Sequence, residues 1–203
     1  MECKTAVRGQ EHKMKKIALA LAIGSLTLTA FGGLTHSRQS DDNTVEVGGM
    51  AMYPLKTIVE NAVNSKDHTT LVAAVKAAGL VDVLSGKGPF TVFAPVNSAF
   101  DMLPAGTIDT LLKPENKDTL TKVLTYHVVA GRIDSKELRH RIHMGNGKAE
   151  LKTVQGESLW AEMNGPSNII ITDAKGGKAD ISTYDVYQSN GVIHVIDRVL
   201  MPN

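Results

Sequence analysis

The pattern of apolar residues divides the chain into a helical part followed by a strand-rich part. Between residues 53 and 143, apolar side chains recur three and four positions apart, as on one face of a helix, and a single strand is predicted at residues 90–94. From Gly145 onward, runs of strand-forming residues alternate with turns. These runs cover residues 148–154, 157–163, 168–172, 178–186 and 192–201. Helices first and strands afterwards predict an α+β fold.

The last of these runs, residues 191–202 (GVIHVIDRVLMP), alternates strictly and is mostly apolar on both faces. This pattern predicts a strand that is buried on both sides. His194 and Asp197 need hydrogen-bond partners there, because unpaired polar groups are costly inside a protein. The two residues lie three positions apart, so their side chains point to opposite faces of the strand. They are therefore not expected to form a catalytic His–Asp pair, and structural hydrogen bonds are expected instead.

The N-terminal segment indicates export. A basic stretch at residues 13–16 precedes an apolar run at residues 17–28, and small residues follow at Ala30 and Gly32. This order is typical of a secretory signal peptide. We therefore expect an extension and signal peptide in residues 1–33, a polar flexible linker in residues 34–50 and a folded domain in residues 51–203, with structure beginning near Tyr53.

The location that follows is secreted, periplasmic or at the cell surface. The apolar run is short for a membrane-spanning helix, so no stable span is expected after signal cleavage. Cleavage would also remove Cys3, the only cysteine, which excludes disulfides and thiolate chemistry from the exported part. The formal net charge of +1 gives no reason to expect nucleic acid as a partner.

Other candidate motifs are weak. His140 and His143 could share one helical face, but they lack a recognisable third ligand and lie beside arginines, so a solvated face is expected. Gly86 and Gly88 precede a strand and not a helix N-terminus, so they do not match a phosphate-binding loop. The chain has no G-x-S-x-G motif. No catalytic residue, metal ligand or cofactor is predicted.

Three segments together resemble the fasciclin domain, a secreted or cell-surface adhesion module. They are residues 90–100 (FTVFAPVNSAF), residues 124–129 (LTYHVV) and residues 190–202 (NGVIHVIDRVLMP). The first and last resemble the two conserved boxes of the family, and the middle one resembles its Tyr-His motif. The resemblance covers roughly residues 53–203. It departs at Val96, where the family usually has threonine.

The resemblance implies a wedge-shaped β-sandwich with several short helices packed against it. It also implies that the boxes and the Tyr-His segment are associated with cell adhesion. The positions that match the family's motifs are Asn97, Tyr126, His127, His194 and Asp197. Asn97 is expected to cap a short helix, and Asp197 is expected to be a buried hydrogen-bond anchor. His127, at a predicted helix C-terminus, suits either a structural hydrogen bond or a partner contact.

Three functions from different classes remain open. The leading one is an exported, noncatalytic adhesion or matrix-interaction module that binds cell-surface or matrix proteins and possibly polysaccharide. The alternative is a periplasmic or extracellular domain that binds a small ligand or polysaccharide in a pocket lined by Trp160 or Tyr184. The third is a hydrolase or metal enzyme built around His127 and His194, which requires the two imidazoles to lie close together near a cleft.

Overall fold

A computed structural model describes residues 44–203 of the chain. The helices are α1 (Ile58–Ala62), α2 (Thr69–Ala78), α3 (Val81–Ser85), α4 (Asn97–Asp101), α5 (Thr107–Leu111), α6 (Lys117–Tyr126) and α7 (Ser135–Met144). The strands are β1 (Val45–Val47), β2 (Met50–Met52), β3 (Phe90–Pro95), β4 (Val128–Ala130), β5 (Lys148–Lys152), β6 (Ser158–Asn164), β7 (Asn168–Thr172), β8 (Lys178–Gln188) and β9 (Gly191–Ile196). Among these residues, none of the helices combines the length and the apolar character that crossing a bilayer requires.

Seven strands form one mixed sheet in the order β4-β3-β9-β8-β7-β6-β5. The two box segments supply β3 and β9, the second and third strands in this order, which pair in parallel, while the other neighbours pair antiparallel. Two register shifts in the β8–β9 pairing interrupt the ladder, and irregularities of this kind bend a sheet. The edge strands β4 and β5 then meet at a bridge between Val129 and Thr153. The α+β class predicted from the sequence is confirmed.

The paired strands β3 and β9 separate two apolar cores. Val92 and Ile193 belong to the core that the strands share with α1, α2 and α6. Phe93 and Ile196 face the second core, which contains side chains of β5, β6, β7 and α7. Every residue of β9 is buried, which confirms that this strand is covered on both faces. Such two-sided burial explains why both faces of the pattern are apolar.

Regular structure begins earlier than the pattern predicts. The strands β1 and β2 form a hairpin before Tyr53, and its Val47 and Met52 are buried against the helical core. The sequence pattern does not reveal this hairpin because its strands have only three residues each and the turn between them, Gly48-Gly49, resembles a polar linker. The predicted signal peptide and residues 34–43 of the predicted linker lie outside the described residues.

Helix ends are capped by glycine and by polar side chains. Gly79 adopts the left-handed conformation that ends α2, as expected of a glycine after the last helical turn. Asp134 caps α7 by accepting a hydrogen bond from the Glu137 N–H, although the reciprocal bond of a full capping box is absent in the described structure. A complete capping box joins Thr57 and Glu60 at the start of α1.

Candidate functional site

His194 is a neutral structural residue at the centre of β9. Its side chain is fully buried and stacks on Phe93 at 5.7 Å between ring centroids. Its Nε2 lies 2.9 Å from the Ile133 carbonyl oxygen and therefore carries the proton, while Nδ1 accepts from the Asp185 N–H at 3.4 Å. Burial lowers the pKa of His194. Both ring nitrogens are thus engaged with the backbone, so the imidazole has a structural role.

His127 ties the end of α6 to the C-terminal segment. Its Nδ1 donates to the Val123 carbonyl at 2.8 Å, and its Nε2 accepts from the Leu200 N–H at 3.0 Å. Burial lowers the pKa of His127 to about 4, so the imidazole is neutral and not partly charged as the helix C-terminus suggested. Because His127 and His194 are both buried with both nitrogens engaged, they do not form a solvent-accessible enzymatic site.

Tyr126 links α6 to the start of β6 and to the turn after β7. Its hydroxyl donates to the Ser158 carbonyl and accepts from the Ala174 N–H, both at 2.9 Å. Burial raises the pKa of Tyr126 to about 12. The side chain has no exposed surface, so it cannot contact a partner directly. Tyr126 can affect binding only by fixing the backbone of the segments to which it bonds.

Asn97 does not cap its own helix, contrary to the prediction. It is the first residue of α4, whose N-cap is Val96. Its Oδ1 accepts from the Thr70 N–H at 3.1 Å, and its Nδ2 donates to the Lys66 carbonyl at 2.9 Å. Asn97 therefore caps α2 from a distant part of the chain. The local pattern did not reveal this bond because the partners lie 27 residues apart.

Replacing Asn97 with alanine is expected to lower the free energy of unfolding by about 1 kcal/mol, as for the loss of a helix cap. The Asn97→Ala variant leaves the Thr70 N–H without its side-chain acceptor. Urea unfolding followed by circular dichroism measures the effect. Ser98→Ala, a neighbouring change at an exposed position, is the control and should be nearly neutral. Equal stability of the two variants would contradict the capping role.

Asp197 anchors a strand, but it is exposed and not buried as predicted. It follows the last residue of β9, and its carboxylate accepts from the Asp180 N–H at 2.8 Å. The Asp197 N–H in turn donates to the Asp180 carbonyl at 3.2 Å. The paired bonds hold the chain after β9 against the start of β8. The alternating pattern continues past the end of the strand, which is why it suggested burial for Asp197.

Asp173 organises the same region and was not singled out from the sequence. Its carboxylate is buried at the turn after β7 and accepts from three backbone N–H groups. The donors are Lys175 at 3.0 Å, Gly177 at 2.7 Å and Met201 at 3.0 Å. The two bonds within the turn could have been predicted, because an aspartate followed by glycines, as in T-D-A-K-G-G, is typical of an Asx turn. The bond to Met201 could not, because its donor lies 28 residues away.

A surface groove lies where these anchored segments meet. It has a volume of about 540 Å³ and lies between α4, the turn after β7 and the chain after β9. Its lining residues are Ala99, Met102, Leu103, Asp173, Lys175, Gly177, Arg198, Val199 and Met201. Asn97 opens the helix that forms one wall, and Asp197 directly precedes Arg198 on another. Asn97 and Asp197 thus do not line the groove themselves, but they lie in the segments that form its walls.

The groove combines an apolar surface with positive charge. Met102 is 55% exposed, and Lys175 and Arg198 are also exposed. The ion pairs of residues 44–203 are Arg141–Glu137 and Lys148–Glu162, so neither groove cation is paired within the described chain. The Asp173 carboxylate accepts three N–H groups at the back of the groove. Met and Arg are enriched at protein interfaces, so this surface suits a partner that carries acidic groups.

The other predicted residues do not assemble into a site. Trp160 and Tyr184 do not line the groove, and the Tyr184 hydroxyl is occupied by the Ile169 N–H at 2.8 Å. His140 and His143 are exposed on α7, as expected for a solvated face. Within residues 44–203, no group of three His, Cys, Asp or Glu side chains is arranged to hold a metal ion.

Comparison with known proteins gives consistent matches. A sequence model of the Fasciclin domain matches residues 66–202. The chain is 43% identical over 192 residues to Protein sll1483 of Synechocystis sp., covering 93% of this chain and 99% of that protein. It is 32% identical over 188 residues to the cell surface glycolipoprotein MPB83 of Mycobacterium bovis, covering 90% of this chain and 76% of that one.

A solved structure has the same fold. It is a FAS1 domain pair from the insect cell adhesion molecule fasciclin I, which superposes with a TM-score of 0.64 at 20% sequence identity. The match covers 73% of this chain and 51% of that one. At this identity, the likeness concerns the fold alone.

Proposed function

The chain belongs to the fasciclin domain family, and on this premise we propose that it is an exported, noncatalytic adhesion module that binds acidic protein surfaces through the groove between α4 and the chain after β9. The observation that carries the proposal is the pair of exposed cations, Lys175 and Arg198, beside exposed Met102. Asn97, Tyr126, His127 and Asp197 contribute to binding by holding the segments that form the walls of this groove, whereas His194 bonds to Ile133 and Asp185 and supports the core strand β9 instead.

Two further observations support an adhesive role. Tyr126, His127 and His194 use their polar atoms in hydrogen bonds to the backbone, which gives them a structural role. A domain of this kind binds partners through its surface. Relatives include a protein named for its place at the cell surface, and the fold is shared with a named cell adhesion molecule. Export rests on the basic and apolar pattern of residues 13–28, which lies outside the described residues.

A binding panel tests the proposal. The full chain is immobilised and exposed to whole cells, to extracellular-matrix proteins and to polysaccharides. We expect binding to a protein component that weakens as salt rises, because screening reduces attraction between exposed charges. Failure across the whole panel would contradict adhesion. Saturable binding to polysaccharide alone would favour the alternative of a polysaccharide-binding domain.

Reversing the charge of the two groove cations tests whether the partner binds at the groove. The double variant Lys175→Glu and Arg198→Glu is expected to bind the retained protein at least about tenfold more weakly, since like charges then oppose an acidic partner. The control is Lys113→Glu with Lys122→Glu, which makes the same change in net charge at exposed positions outside the groove. Equal losses in both variants would show that overall charge, and not the groove, determines binding.

A further inference from the structure

One exposed face of α7 carries only basic side chains. Lys136, Arg139, His140 and His143 are exposed and lie at positions i, i+3, i+4 and i+7 of the helix. At 3.6 residues per turn, these positions form a row that runs about 10 Å along the helix axis. Leu138, on the opposite side of the helix, is fully buried in the second core. The four exposed residues, called the basic stripe below, therefore face solvent.

The acidic groups at the two ends and on the other side of α7 have partners of their own. Glu137 lies beside Arg141 and pairs with it at 2.6 Å. Asp134 caps the helix by accepting from the Glu137 N–H at 2.8 Å. Asp185 of β8 accepts from both the N–H and the hydroxyl of Ser135, at 2.7 and 2.6 Å. These carboxylates stabilise the start of the helix and do not neutralise the basic stripe.

The strands against which α7 packs, β5 and β6, direct their charged side chains elsewhere. In both strands, the charged residues alternate with residues that are buried in the core shared with α7, so they point to the opposite face. Glu162 pairs with Lys148 at 3.0 Å, and Glu150 accepts from the Ser158 hydroxyl. The ion pairs of residues 44–203 are Arg141–Glu137 and Lys148–Glu162, so the cations of the basic stripe are unpaired within this part of the chain.

Arg139 is held in position at one edge of the basic stripe. Its guanidinium donates to Ser135 Oγ at 3.3 Å and to the Ser167 carbonyl at 3.2 Å, and it lies 5.8 Å from the centroid of the Tyr184 ring. These bonds leave other N–H groups of the guanidinium available for an anion, because arginine has five donors. A guanidinium that is already positioned loses less conformational entropy when it binds a carboxylate.

We propose that the basic stripe binds a linear polysaccharide that carries carboxylate groups. A row of basic side chains along a helix is complementary to anions that repeat along an extended chain. A bilayer surface suits the stripe less well, because a helix that lies on a membrane inserts an apolar face, and Met144 is the one large apolar side chain exposed on α7. The stripe does not line the groove, so this site is additional to the proposed function.

The probe is alginate, a linear polysaccharide of uronic acids, and dextran is the uncharged control. Short oligomers of each are titrated into the ¹⁵N-labelled full chain without divalent cations, and amide shifts locate the contact. Alginate is expected to shift the amides of α7 saturably, whereas dextran should not. Saturable shifts that leave α7 unaffected, or equal binding of dextran, would overturn the proposal. Binding to phosphatidylglycerol vesicles without binding to alginate would also overturn it, in favour of a lipid surface.

The double variant Lys136→Glu with Arg139→Glu is expected to bind alginate at least about tenfold more weakly, because like charges then oppose the polyanion. The control is Lys113→Glu with Lys122→Glu, which makes the same change in net charge at exposed positions outside the stripe and should keep its affinity within about twofold. Equal losses in the two variants would overturn the proposal. The double variant of the groove should also keep its alginate affinity, so a failure at the stripe is distinguishable from a failure at the groove. If the stripe variant does not fold, the amide shifts of the unaltered chain decide the matter.

A pH change provides a second readout on the unaltered chain. Exposed histidines gain positive charge as the pH falls through the neutral range, and the basic stripe contains two of them. The carboxylates of alginate remain ionised at pH 6, because ordinary carboxylates have pKa values near 4. Lowering the pH from 7.5 to 6 is therefore expected to raise the affinity about threefold. The variant His140→Gln with His143→Gln should lose this increase, and an equal increase in that variant would contradict a contact at the stripe.

Discussion

Replacing Phe93 with alanine is expected to lower the free energy of unfolding by about 3–5 kcal/mol, the usual cost of removing a buried aromatic side chain from a core. Phe93 is fully buried on the central strand β3 and stacks on His194 of the neighbouring strand β9. The truncation leaves a void beside a ring that the backbone holds at both nitrogens, so the surroundings have little freedom to collapse into it. Urea unfolding gives the free energy of unfolding. An unchanged dependence of this free energy on urea concentration shows that the variant still unfolds in the same two-state transition.

The control for Phe93→Ala is Met102→Ala, which truncates a large apolar side chain that is 55% exposed. It should change stability by no more than about 0.5 kcal/mol, as surface substitutions generally do. A similar small effect for Phe93→Ala would mean that β3 is not a central core strand. Because Met102 lines the groove and Phe93 does not, the two variants also separate binding from folding.

Acidification is expected to destabilise the domain through His127. Burial lowers the pKa of this imidazole in the folded chain to about 4, whereas an unfolded histidine has a pKa of about 6.5. Between these values the unfolded chain binds more protons than the folded one, so stability falls as pH falls. The contribution is complete above pH 6.5 and decreases by about 2 kcal/mol between pH 7 and pH 5. His68 and His194, whose pKa values burial also lowers, act in the same direction.

Two measurements test the effect of His127. Urea unfolding at pH 7 and pH 5 gives the loss of stability, in a range where ordinary carboxylates contribute little because their pKa values lie near 4. The ring signals of His127 in NMR spectra report its own protonation in the folded state. Titration of this ring near pH 6.5 would contradict its neutral, doubly hydrogen-bonded state, whatever the total loss of stability.

Periodicity predicted most of the elements because a helix buried on one face, or a strand buried on both, requires apolar residues at characteristic spacings. The alternation in residues 191–196 predicted β9 and its two-sided burial. Leu71, Ala74, Val75 and Ala78 recur at helical spacing along α2, and all four side chains are buried. The motifs in residues 90–100 and 190–202 indicated the family and placed both segments in or beside the core. Their parallel pairing is not visible in any local pattern.

Long-range polar bonds could not be predicted in this way. Asn97 caps a helix that begins 28 residues earlier in the chain, and Asp173 holds the N–H of Met201. Asn190 precedes a glycine in a typical turn sequence, yet its side-chain amide bonds to Ile58 and Leu84, more than 100 residues away. The groove is formed by three such anchored segments, so its residues do not share a recognisable spacing.

The bridge between Val129 and Thr153 has a consequence for how the domain meets other molecules. A sheet edge with open N–H and C=O groups invites another chain to add a strand, which is a common route to aggregation. Here the two edge strands of the large sheet face each other, and the Val154 N–H bonds to the Val128 carbonyl across the gap at 2.8 Å. Self-association by strand addition is therefore disfavoured at this seam. A partner is therefore recognised by side chains and not by an open strand edge. Side chains can distinguish one partner from another, whereas the backbone groups of an open edge pair with any extended chain.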